Sequence, residues 1–173
     1  LNATINAGYT FNGWYQGETL ATVKTEYKFL AEKDITLTAQ CEANADTKYK
    51  VEYYRENIED DDYTLFETVN LQGTTDTTAG AERKTYEHFT FNENSSLLNG
   101  NISGDGSLVL RLYYTRNVYT LSNENTEYGE ISNATSKKYG SPAIETVATE
   151  YLGCEFLGWY NGKKLLSADK NYT

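Results

Sequence analysis

The sequence predicts a strand-dominated α+β fold divided into small tandem modules, and three observations carry that expectation. Tyr occurs 16 times while Pro occurs once and Met never, a composition suited to pleated, half-buried surfaces rather than long helices. Apolar and polar residues alternate with period two in several runs. One ten-residue motif occurs twice, 145 residues apart.

The repeat comes first because self-similarity overrides any fold inferred from local propensity. Gly8-Tyr-Thr-Phe-Asn-Gly-Trp-Tyr-Gln-Gly17 aligns without a gap on Gly153-Cys-Glu-Phe-Leu-Gly-Trp-Tyr-Asn-Gly162, and further matches pair Leu20 with Leu165 and Tyr27 with Tyr172. Both tryptophans of the chain lie in the motif. Residues 1–43 and 118–173 are therefore expected to be two partial copies of one module, the first supplying its C-terminal part and the second its N-terminal part. Copy one continues into Asp34-Ile-Thr-Leu-Thr-Ala-Gln-Cys-Glu42, a strand pattern with Ile35, Leu37, Ala39 and Cys41 on one face. Copy two carries a preceding stretch, Val118 to about Thr146, with no counterpart in copy one.

Residues 48–117 read as a different, complete module. Tyr49, Val51 and Tyr53 alternate along one strand, the acidic Glu59–Asp62 run marks a turn, and Tyr63–Leu71 returns as the second arm of a hairpin. Thr77–Lys84 is assigned a short helix. His88–Asn92 is extended, the Gly104-Asp-Gly106 run forms a turn, and Ser107–Thr115 is the clearest strand of the chain, with Leu108, Leu110, Leu112 and Tyr114 facing one way. A small sheet curled over one helix satisfies this order.

A formal charge of −10 argues against nucleic acid and anionic lipid as partners. No run approaches the length of a membrane span. The opening Leu1-Asn-Ala-Thr4 lacks a basic-then-apolar leader pattern, so the chain reads as an excised segment. His88 is the lone histidine, and no carboxylate pair, Gly-rich phosphate loop or clustered metal ligands stand out. No catalytic, cofactor or metal site is expected, and an enzyme is the least favoured reading. The Glu59–Asp62 run is read as a solvated hairpin tip rather than a calcium loop.

Four aromatic residues are the candidate ligand contacts. Trp14 and Trp159, each beside a Tyr and between glycines, could stack on sugar rings, although their recurrence at equivalent positions favours a packing role. Tyr54 and Tyr113 fall on outward strand faces, where they could touch a glycoprotein.

The run at 8–15, followed by Asp34–Gln40, resembles the Listeria-Bacteroides repeat, also called the internalin-type B repeat, of bacterial surface proteins. Copy two keeps Phe156, Gly158, Trp159 and Tyr160 of that pattern. The middle module, through Tyr49–Asn57 and Leu108–Arg116, resembles the mucin-binding-protein-like repeats that often neighbour them. The resemblance implies β-grasp-like (ubiquitin-like) modules in a non-catalytic surface protein of a Gram-positive bacterium, extracellular and attached to the cell wall. It further implies a spacer or adhesion role, with host mucin or another glycoprotein as partner. Cys41 and Cys154 stand where the family has aromatics, which predicts buried thiols acting as small apolar groups and leaves a disulfide between them open. Because copy two lacks a counterpart of residues 35–42, that strand is a candidate for swapped or head-to-tail self-association.

Overall fold

The computed structural model describes residues 1–30, 32–122, 127–131 and 135–172. Sixteen strands and no helix occur among them, and no helix there could cross a membrane. The strand-dominated expectation holds, and the helical part of the α+β assignment does not.

Residues 9–43 hold β1 (Tyr9–Gln16), β2 (Thr19–Thr22) and β3 (Thr38–Ala43), a three-stranded antiparallel sheet with β1 in the middle. The middle region holds β4 (Thr47–Glu56), β5 (Tyr63–Gly73), β6 (Thr78–Gly80), β7 (Phe89–Asn92), β8 (Asn99–Asn101) and β9 (Val109–Arg116). The C-terminal region holds β10 (Val118–Leu121), β11 (Gly129–Ile131), β12 (Thr135–Lys138), β13 (Thr146–Glu150), β14 (Trp159–Asn161), β15 (Lys164–Ser167) and β16 (Asn171–Tyr172).

The main core belongs to the middle region. Its sheet runs β5-β4-β9-β7, with the first hairpin strand β4 parallel to the last strand β9 at the centre. A parallel pair needs a crossover, and residues 74–108 provide it, contributing β7 to the sheet edge and Ala79 and Ile102 to the core. Val51, Leu110, Leu112 and Tyr114 are at most 1 % exposed, and Ala79 and Ile102 from the crossover close over them. The buried phenols keep partners, as such groups must: Tyr53 donates to the Glu82 carbonyl at 3.0 Å, and Tyr114 accepts the Lys84 N–H at 2.9 Å.

The predicted helix at Thr77–Lys84 is instead the strand β6 followed by extended chain. β6 pairs with β8, and beyond it the Ala81 N–H reaches the Leu98 carbonyl. The local chemistry explains the difference. The Thr77 hydroxyl bonds back to the Thr74 carbonyl, Asp76 sits at φ 61°, and Gly80 adds the backbone freedom that weakens a helix. Eight residues also nucleate a helix poorly without tertiary support.

The two repeat copies share the pairing of their hairpins. Trp14 pairs with Thr22 and Tyr15 with Leu20, as Trp159 pairs with Ser167 and Tyr160 with Leu165, both across the same irregularity. The Ala3 N–H donates to Thr25 O, and the Ala148 N–H to Lys170 O, both at 3.0 Å. Gly13 and Gly158 share φ values of 138° and 135°. The copies differ at one edge. Tyr9–Tyr15 is covered by β3, whereas residues 154–158 are not assigned as strand.

β3 also corrects two expectations. Ordered pairing begins at Thr38 rather than Asp34, and the intended apolar face is poorly covered, with Ala39 and Cys41 exposed. Cys41 and Cys154 are free thiols, the second half-buried, so neither is the fully buried apolar group expected. Within the chain, β3 is seated on β1.

Candidate functional site

The four aromatic candidates do not converge on one place. Trp14 is 9 % exposed, meets Phe11 edge to face at 6.0 Å, and donates its indole N–H to Thr25 O at 3.1 Å. Trp159 meets Phe156 in the same way at 5.6 Å, and its indole N–H donates to Asp169 O at 3.0 Å, one residue before the counterpart of Thr25. Both indoles pack against a Phe and hydrogen-bond within their own module.

Tyr54 and Tyr113 do come together. Neighbours on the parallel β4 and β9, they stack at 4.9 Å, and Tyr63 meets Tyr113 edge-on at 5.0 Å. The Tyr54 hydroxyl donates to Glu52 at 2.8 Å, and Arg111 pairs with the same carboxylate at 3.3 Å. The Glu52 hydrogen bond, then burial, raise the Tyr54 pKa, so the phenol remains a donor across the physiological range. The result is a half-exposed tyrosine face rather than a pocket.

A cavity of about 300 Å³ lies at the same end of the sheet, lined by Arg55, Glu56, Phe66, Phe89, Arg116 and Tyr139 among others. The Arg55 guanidinium carbon sits 3.3 Å from the Phe66 ring centre, 4.2 Å from Tyr86 and 5.0 Å from Phe89. Arg116 lies 5.0 Å from the same Phe89 ring. Sequence reading missed this group. The signal was Arg55 itself, which continues the inward register of Tyr49, Val51 and Tyr53 and so places a cation where an apolar residue is due.

Around the cavity the middle region meets the C-terminal region. Arg116 donates to Glu56 O at 2.7 Å and to Tyr139 O at 2.9 Å, and Lys138 pairs with the Glu56 carboxylate at 2.7 Å. Lys138 also reaches Asp61 at 3.1 Å and the Asp60 carbonyl at 3.2 Å, while the acidic hairpin tip stays solvent-exposed as expected. His88 stacks on Tyr139 at 4.0 Å and bonds the Tyr119 hydroxyl at 2.9 Å. Among the described residues no three His, Cys, Asp or Glu side chains gather as metal ligands.

The first junction is equally close. Asn44 donates its N–H to Gly8 O at 2.8 Å and accepts from the Thr75 N–H at 3.0 Å. Tyr9 bonds Asp76 across the boundary. A Cβ on Gly104 would strike the Ala7 carbonyl, so the two backbones touch.

Residues 1–45 match the family described as the divergent InlB B-repeat domain. Comparison with curated proteins and with solved structures gives no match.

Proposed function

We propose that the chain is a non-catalytic segment of a bacterial cell-surface protein, in which strand-built modules join through packed junctions into a semi-rigid spacer. The observation that carries this reading is the hydrogen bonding across both junctions, the Thr75 N–H to the Asn44 carbonyl on one side and the Arg116 guanidinium to the Tyr139 carbonyl on the other. Linkers of this kind transmit orientation, unlike flexible tethers. The exposed surface of 12248 Å², against roughly 8500 Å² for a compact protein of this mass, supports an extended arrangement. The match over residues 1–45 supports an extracellular location; attachment to a wall of the Gram-positive kind is part of the proposal. The shared hairpin pairing of the two copies supports reading residues 118–173 as a second B-repeat-like module. The parallel pairing of β4 with β9 supports a β-grasp-like middle module whose helix is replaced by β6, β8 and extended chain.

Antibody raised against residues 48–117 should label intact, unpermeabilised source cells. Labelling that appears only after lysis would overturn the surface placement.

A second reading gives the middle module direct contact with host mucin or another glycoprotein, favoured by the Tyr54, Tyr113 and Tyr63 face. Retention on immobilised mucin that falls at least about tenfold in Tyr113→Ala would support it. No retention by the unsubstituted chain leaves the spacer alone.

Self-association through residues 35–42 would use the outer edge of β3 or release it from β1. Sedimentation velocity tests it: dimer growing with concentration and lost on Gln40→Pro supports it, because proline removes a ladder donor, and a monomer throughout ends it.

A further inference from the structure

We propose that the cavity between β4, β5 and the turn after β12 binds the carboxylate of an acidic sugar, with Arg55 as the recognising group and the surrounding rings as a shelf for the pyranose. The inference is independent of the spacer reading and uses a different surface from the tyrosine face.

Arg55 is the anomaly from which it starts. A guanidinium presents five donors, yet among the described residues Arg55 makes no side-chain hydrogen bond or ion pair, and its Nε is shut off from solvent without a partner. It is held by ring faces alone, at 3.3 Å over Phe66 and 4.2 Å over Tyr86. Such a donor is costly to leave unmade, and the guanidinium fork matches a planar carboxylate in two-point fashion.

The nearby carboxylates make their bonds to other groups, and Glu67 offsets the cation only through space. Glu56, the acid lining the cavity, is 6 % exposed and already engaged by the Arg116 N–H at 2.7 Å and by Lys138 at 2.7 Å. Glu67, on the far side of the rings, is taken by Lys84 at 2.5 Å and by the Tyr86 hydroxyl at 3.1 Å. Arg116 adds a second guanidinium to the wall. A chain of net charge −10 thus keeps a locally positive hollow, the opposite of what solubility alone requires.

The walls favour a ring-bearing anion over a bare one. Phe66 is 52 % exposed and Tyr139 40 % exposed, with Phe89 between the two arginines. Aromatic faces beside fixed polar groups suit the apolar faces of pyranoses, and about 300 Å³ is the lower end of small-ligand pockets, room for one sugar unit.

The test is a titration of the ¹⁵N-labelled chain, at matched ionic strength, with N-acetylneuraminic acid, glucuronic acid, galactose and sodium sulfate. The expected result is saturable shifts of the Arg55 Nε–H and of the Phe66, Phe89 and Tyr139 amides with an acidic sugar and not with galactose. Response to neuraminic acid points to glycan termini, and response to glucuronic acid to an acidic polysaccharide. Arg55→Gln should weaken binding about tenfold or more, and Arg55→Lys should fall between because it keeps charge without the fork. No shift with either acid overturns the proposal, as does equal response to sulfate or to galactose. Undiminished binding by Arg55→Gln overturns it too. Should Arg55→Gln lose its amide dispersion, the Arg55 Nε–H response of the unsubstituted chain and the Arg55→Lys titration decide. Monosaccharide binding can succeed where mucin retention fails, so the two outcomes separate.

Discussion

Gly13 and Gly158 show how a single residue type is dictated twice by the same geometry. At φ 138° and 135° both lie where L side chains rarely go, and an added Cβ would come within 2.5 Å of Leu20 Cδ1 or Leu165 Cδ1. Gly158→Ala is expected to destabilise its hairpin by about 1–3 kcal/mol. Hydrogen exchange should report this as faster exchange around Trp159 with Val51 unchanged. In the middle core, Leu110 is fully buried, and Leu110→Ala should cost about 2–5 kcal/mol in denaturant unfolding. The Glu67–Lys84 pair sets a pH dependence. The Lys84 hydrogen bond lowers the Glu67 pKa below its ordinary 4.5. A lowered carboxylate stabilises the fold above its unfolded value and loses that contribution as pH falls through the folded one. Thermal melts of Glu67→Gln should therefore depend less steeply on acid below about pH 5 than those of the unsubstituted chain; equal steepness would deny the pair its role.

At the scale of elements, the β4–β5 hairpin and β9 were legible because their side chains alternate strictly and one face is deeply buried. Tyr49, Val51, Tyr53, Leu110, Leu112 and Tyr114 all fall on the inner face that their spacing required. The segment from Thr77 was not legible, because its strand state comes from pairing with Asn99–Asn101, about twenty residues on, and no local pattern announces that partner. The Tyr54–Tyr113 contact followed from the face each occupies, but the cavity depends on a register reaching Arg55 and on Tyr139 arriving from a later hairpin. Long-range convergence of that kind leaves no short motif. The glycine at the first junction gives an element-scale prediction. Gly104→Ala pushes a Cβ into the Ala7 carbonyl, so the Asn44 and Thr75 amides should exchange faster while those of β4 and β9 do not. Unchanged protection at Asn44 would show that the contact does not hold the boundary.

For the whole molecule, two small repeat-like regions flank a better-packed middle. Among described apolar residues, Trp14 and Ala148 are the buried ones outside the middle region, while Leu30, Leu152 and Leu157 are more than 70 % exposed. Each outer region thus draws its order from a few hairpin anchors and from its seam with the middle, as neighbouring units of repeat proteins do. Arg116, Lys138, His88 and Tyr139 form one seam, and Gly8, Asn44, Thr75 and Gly104 the other. Small-angle X-ray scattering of the monomeric chain tests the semi-rigid arrangement most directly. A radius of gyration well above the roughly 16 Å of a compact chain this long, with a profile fitted by a single extended conformation, is the predicted result. A value near 16 Å, or a profile that only a broad ensemble of module orientations can fit, would contradict it.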